Sequence, residues 1–131
     1  MAFFGKIPQI LDDKKRIAIP AKWREQFDAP AFLTAGPEGC IAIYTKADFE
    51  AASAEVLAVS ASTKAGRDGR RIFFGNTADV AKDTAGRLLV PQQLIDHAKL
   101  TRDIVVVGAG EWFEVWDKGA WDEYDAARAG E

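Results

Sequence analysis

The sequence predicts an α+β protein built from two tandem copies of one small unit of short strands and short helices. Three observations carry this. Residues 12–20, DDKKRIAIP, recur as DTAGRLLVP at 83–91, each running Asp, three residues, Arg, three apolar residues, Pro. FFGK at 3–6 recurs as FFGN at 73–76, and LTAGPEGCIAIY at 33–44 aligns with VVVGAGEWFEVW at 105–116, so the offset drifts only from 70 to 72 residues. Within each copy, short apolar or alternating runs are separated by turn residues and brief helical segments, and self-similarity at a fixed period marks a repeat architecture.

Each element has a local cause. A first strand is expected at about 3–10 and again at about 72–81, each leading into a tight polar turn. Apolar strands follow at 16–19 and 87–90. Pro20 and Pro91 suit the first turn of a helix, where a missing N–H costs nothing. AKWREQF and QQLIDHAKL are therefore read as short helices. Hairpins come next: AFLTA, turn GPEG, CIAIY in the first copy; DIVVVG, turn AGE, WFEVW in the second. Thr45 and Asp117 are N-cap residues for closing helices. The first runs KADFEAASAEVLAVSAS with Phe49, Ala52, Val56 and Val59 on one face, and the second is a shorter WDEYDAARA. Phe49 falls opposite Trp121 in the alignment of the copies.

These elements divide the chain into a first repeat at 1–63, a basic connector KAGRDGRR at 64–71 read as a solvated linker, and a second repeat at 72–131. Four short strands give one copy too little core to stand alone. The copies must pack together as one unit or interleave with other chains.

Composition narrows the function. The 131 residues are an ordinary soluble length and mixture, and no apolar run approaches a membrane span. The start, MAFFGKIPQ, has no basic segment followed by an apolar one and is not read as a signal peptide. Net charge is −3, but seven acids against two bases lie in 111–131, leaving 15 basic and 13 acidic residues elsewhere. Lys14, Lys15 and Arg16 form one basic island, and Lys64, Arg67, Arg70 and Arg71 another. Binding responds to local potential, so a basic face remains available to nucleic acid.

Catalysis finds little support. His97 has no second histidine for a metal pair or relay, and Cys40, the one cysteine, opens an apolar strand as a small hydrophobe. The glycines of GPEG and GAGEW lie in hairpin turns, where no dinucleotide site forms. Neither an enzyme, a metal site nor a cofactor is expected. The repeated turn is different. Asp12 and Asp83 are suited to accept backbone N–H groups and shape it. Arg16 and Arg87, opening apolar strands, sit where a guanidinium could meet phosphate or the O6/N7 edge of guanine through two parallel hydrogen bonds.

The residues FFG, LDDKKRIAIP, the following Ala-x-Trp-Arg, CIAIYTKADFE, the Arg-rich middle, DTAGRLLVP, HAKL and VVVGAGEWFEVWD resemble the MraZ family of bacterial transcriptional regulators, over nearly the whole chain. The resemblance implies two tandem AbrB-like (SpoVT-AbrB) repeats forming swapped-hairpin β barrels with a pseudo-twofold inside the chain, and protomers assembled as a ring. It implies a cytoplasmic, nucleoid-associated regulator, expected as a repressor, that engages direct repeats in double-stranded promoter DNA ahead of the division and cell-wall gene cluster containing its own gene. No membrane or small-molecule substrate is implied. Carried over by position, Lys14, Lys15, Arg16 and Arg87 face DNA while Asp12, Asp83 and Gly86 shape the turns.

One departure stands out: Lys15 replaces the turn glycine that the second copy keeps as Gly86. If that position needs φ > 0, either the first turn is of another type or it tolerates strain for a phosphate contact. Two rival readings are a non-catalytic oligomeric interaction module and an antitoxin-like AbrB protein, the latter requiring a further partner-binding tail.

Overall fold

The computed structural model describes residues 2–130. Among them the chain runs β1 (Lys6–Ile10), β2 (Arg16–Ala18), a 3-10 helix (Ala21–Phe27), β3 (Ala31–Gly36), a single 3-10 turn (Pro37–Gly39), β4 (Cys40–Tyr44), α1 (Lys46–Leu57) and α2 (Lys64–Gly75). The second half continues β5 (Thr77–Val80), β6 (Arg87–Leu89), α3 (Gln92–Ala98), β7 (Asp103–Gly108), β8 (Phe113–Asp117) and α4 (Lys118–Ala129). Six strands form one antiparallel sheet in the order β1-β7-β8-β4-β3-β5. The other two, β2 and β6, pair antiparallel as a separate ribbon.

The strand order shows how the halves depend on each other. β1 of the first half pairs with β7 of the second, and β5 of the second pairs with β3 of the first. The two hairpins meet at the middle through β4 and β8, with Ala42 opposite Glu114. Each half thus lends its opening strand to the other half's hairpin.

Period-2 alternation along these strands sorts side chains to two faces. Ile104 and Val106 of β7, Phe113 and Val115 of β8, and Ile41 and Ile43 of β4 point into the main core. Ile17 and Leu88 of the ribbon, with Ile19 and Val90 just beyond its strands, close that core from the other side. Its centre is aromatic: Phe113 lies 5.1 Å from Trp23, 5.6 Å from Phe3 and 5.7 Å from Phe27, ring centre to ring centre. Edge-to-face and tilted pairs of this kind add to the burial of large apolar area. The alternate residues Val105 and Trp116 face the back of the sheet, where Trp121 of α4 packs with them and Cys40. Phe32, Phe49 and Phe73 stack there too, at 4.5 and 5.4 Å, joining β3, α1 and α2. The ribbon and the back helices are therefore on opposite faces of the sheet.

The hairpins and both caps fall where the sequence places them: Thr45 Oγ1 accepts from the Asp48 N–H at 3.2 Å, and Asp117 Oδ2 from the Ala120 N–H at 3.2 Å. Several elements differ. Residues 64–71, read as a solvated linker, belong to α2, which extends through FFG to Gly75. Thr63 caps it, Asp68 pairs with Lys64 and Arg71, and Arg70 donates to the Leu57 and Val59 carbonyls at the end of α1. FFGK and FFGN consequently play different parts, because Phe3 is a core residue while Phe73 and Phe74 are helical. α1 stops at Leu57 and leaves Val59 exposed, α4 is as long as α1 at twelve residues, and Pro20 and Pro91 sit one place earlier than expected, at the N-cap.

Phe113→Ala removes the ring about which the aromatic core is assembled. A loss of about 3–5 kcal/mol is expected, read as a lowered midpoint in denaturant unfolding. Leu57→Ala, at an exposed site, serves as the near-neutral control.

Candidate nucleic-acid interface

The two repeated turns have one geometry. In the first, Asp12 Oδ1 accepts the N–H of Lys14 at 2.9 Å and of Arg16 at 2.8 Å, while Oδ2 accepts Arg16 Nε at 2.8 Å. In the second, Asp83 Oδ1 accepts the N–H of Ala85 at 2.9 Å and of Arg87 at 2.8 Å, and Oδ2 accepts Arg87 Nε at 2.9 Å. The backbone repeats as well: Lys15 N–H donates to Asp12 O at 3.0 Å and Gly86 N–H to Asp83 O at 3.0 Å. One carboxylate thus closes the turn and fixes the arginine that follows. Accepting the Arg16 backbone N–H, with help from its guanidinium, holds the Asp12 carboxyl below its ordinary value, and the Arg87 N–H does the same for Asp83.

Because Asp takes Nε, the outer edge of each guanidinium stays unengaged. Neither terminal nitrogen of Arg16 or Arg87 has a hydrogen-bond partner among the described residues. A fork with its stem held and its tips free is pre-organised to meet two acceptors side by side. The ribbon register then brings the arginines together. Arg16 pairs with Leu89, Ile17 with Leu88 and Ala18 with Arg87. Ile17 and Leu88 are buried at 1% and 0% exposure, so Arg16, Ala18, Arg87 and Leu89 share the opposite, outward face. The arginines lie diagonally across it. Lys14 and Lys15 are exposed at the tip of the first turn.

Lys15 adopts φ +62° and Gly86 φ +77°, so the first turn keeps the left-handed position without its glycine. What differs is the roof. Arg24 lies over Gly86, its guanidinium donating to Ile19 O at 2.8 Å, and a Cβ on Gly86 would stand 2.2 Å from Arg24 Nε. The aligned residue in the second copy is Ile95, buried in the core with no guanidinium to spread over Lys15. A side chain is therefore accommodated at 15, whereas one at 86 would force Arg24 to shift. Sequence reasoning overlooked Arg24, whose role depends on the other repeat's turn, and Leu89, an exposed apolar residue beside the arginines.

The remaining candidates lie elsewhere. His97 is exposed on α3 with Nε2 2.9 Å from Gly36 O. Cys40 is buried behind the sheet, and burial, reinforced by Glu114 and Glu38, pushes its thiol up and away from the nucleophilic thiolate. Among the described residues no group of three or more His, Cys, Asp or Glu could hold a metal ion, and no helix is long and apolar enough to cross a membrane.

The chain matches the family described as "MraZ protein, putative antitoxin-like" twice, over residues 2–72 and 73–130. It is similar to the protein named transcriptional regulator MraZ from Frankia alni, 38% identical over 122 residues, covering 93% of this chain and 85% of that one. The proteins of the same name from Micrococcus luteus and Salinispora arenicola are each 36% identical over the same share of this chain, covering 85% and 86% of their own lengths.

Exchanging the two turn positions has opposite effects. Lys15→Gly removes a side chain from a left-handed position and, after glycine's own entropy, stabilises by up to about 1 kcal/mol. Gly86→Ala combines that strain with a collision against Arg24 and destabilises by about 1–3 kcal/mol. Thermal unfolding of the two variants checks both signs. The turns also respond to acid. Both aspartates titrate below their ordinary value of 3.8, so their hydrogen bonds are fully present above that pH and are lost as pH falls through the lowered values. NMR should show the Arg16 and Arg87 backbone N–H and Nε–H signals constant down to the ordinary carboxylate value of 3.8 and released only below it.

Proposed function

The chain belongs to the MraZ family, and from that membership and the paired turns we propose that it is a sequence-specific, DNA-binding transcriptional regulator that reads promoter DNA with the outward face of the β2–β6 ribbon. One observation carries the proposal: two arginines on one solvent-facing surface, each with Nε held by its own turn and its terminal nitrogens free. This is the arrangement that a bidentate contact to guanine or phosphate demands. Lys14 and Lys15 add phosphate contacts on the first turn, whereas Asp12, Asp83 and Gly86 shape the turns. The acidic α4 packs on the opposite face of the sheet, which keeps its charge from opposing the approach of DNA.

In this reading the exchanged opening strands form swapped-hairpin, AbrB-like units with a pseudo-twofold between β4 and β8. A ribbon offering only two arginines contacts few bases. Useful affinity then requires several protomers on several DNA repeats at once, so that later contacts form at high effective concentration. A ring of protomers over promoter direct repeats meets that need. The protein acts as a repressor of the division and cell-wall cluster that includes its own gene, in the nucleoid and without catalysis.

A mobility-shift titration with DNA upstream of the protein's own gene, against a scrambled control, tests the proposal. Arg16→Ala and Arg87→Ala should each weaken binding by about 1–3 kcal/mol per lost base contact, with assembly mass and unfolding temperature unchanged. Parent-like affinity in both variants would exclude the ribbon as the reading surface.

A further inference from the structure

Leu89 is 58% exposed, although both sequence neighbours are in the core, Leu88 at 0% and Val90 at 1%. Single exposed leucines are common and need no explanation. Among the described residues, however, the other large exposed apolar side chains lie at the chain start and end of β1 (Phe4, Ile10) or on the α1–α2 pair and its connection (Leu57, Val59, Ile72, Phe74). Leu89 alone among them is on the ribbon. It stands directly opposite Arg16 and two residues beyond Arg87, on the face those arginines share. Directly opposed side chains in an antiparallel pair have Cβ atoms about 4.5–5.5 Å apart. The leucine methyls therefore lie beside the stem of the Arg16 side chain on the outward face.

The pseudo-twofold mate of Leu89 is Ala18, which stands opposite Arg87. The surface is thus twofold in its arginines and not twofold in the apolar residue beside each. In the major groove the feature that an aliphatic side chain can recognise is the C5 methyl of thymine. Resting on the DNA-binding reading above, we propose that Leu89 is a base-contacting specificity residue that packs against a thymine methyl next to the base engaged by Arg16. With only Ala18 in the matching place, the preference beside Arg87 is weaker, and each protomer reads its DNA in one direction.

The test removes the methyl from either side. In the tightest-bound fragment of the DNA upstream of the protein's gene, each thymine is replaced in turn by deoxyuridine, and binding is measured for the full-length parent, Leu89→Ala and Leu89→Ile. The parent should lose about fourfold at one or a few positions, the equivalent of one buried methyl. Leu89→Ala should bind unmodified DNA less tightly by a similar factor and be insensitive to deoxyuridine at those positions, while Leu89→Ile keeps the sensitivity. Equal sensitivity in the parent and Leu89→Ala overturns the assignment, as does a parent indifferent to every replacement. A changed assembly mass for Leu89→Ala by light scattering also overturns it, since the residue would then be covered by a second copy. If Arg16→Ala and Arg87→Ala lose binding while Leu89→Ala does not, only the leucine assignment fails. If none of the three matters, the DNA-binding face itself has been misplaced.

Discussion

The pairing of β2 with β6 couples the core to the outer face through a register of three residue pairs. Ile17 and Leu88 meet at its centre and enter the core, and that places their neighbours Arg16 and Arg87 outward. Side chains in a strand alternate strictly, so a one-residue slip of either strand would turn its arginine toward the core and its buried Ile17 or Leu88 outward. Further backbone bonds pin the register at the two ends: Ile19 N–H to Gly86 O at 2.9 Å and Val90 N–H to Lys15 O at 2.8 Å. Those acceptors are the left-handed residues of the two turns. Core, ribbon and turns are thus one mechanical unit, and neither half can form it alone.

The aspartates extend this coupling to the side chains. A carboxylate that only shaped a turn would leave the next arginine free to sample many rotamers. Here the oxygen not used by the backbone takes Nε, so folding the turn and aiming the guanidinium are the same event. The aspartate also offsets its arginine's charge, so attraction at long range falls to neighbouring lysines. The first turn has Lys14 and Lys15 where the second has Ala85 and Gly86. The two turns match in geometry and differ in charge.

Much of this was legible in the sequence because its causes are local. Turn aspartates, capping Thr45 and Asp117, and hairpin glycines act within a few residues, and a duplicated chain displays each of them twice. What was not legible depends on distant partners. KAGRDGRR reads as a linker from its glycines and charge, yet becomes helical because Phe73, just beyond it, stacks on Phe49 and Arg70 reaches the end of α1. The exchange of β1 and β5 between halves rests on pairing with β7 and β3, strands distant in sequence, which no local pattern reveals. Gly86 could be recognised as a left-handed residue, but not as the floor beneath Arg24.

Duplication within one chain also permits something a symmetric dimer of identical subunits cannot do. In such a dimer any substitution on the ribbon appears on both strands, and the surface stays twofold. Here the copies have diverged where the fold tolerates it. Arg24 covers Gly86 while Ile95 leaves Lys15 open, and Leu89 stands beside Arg16 while Ala18 stands beside Arg87. These differences cluster on or next to a single ribbon, whereas Ile17 and Leu88, which enforce its register, and the two Asp–Arg pairs, which aim the guanidinium groups, are kept equivalent. Symmetry is retained where folding requires it and broken where the surface meets its surroundings. A ribbon of this kind has a distinguishable head and tail, which is the physical requirement for a protomer to take one orientation on an asymmetric ligand.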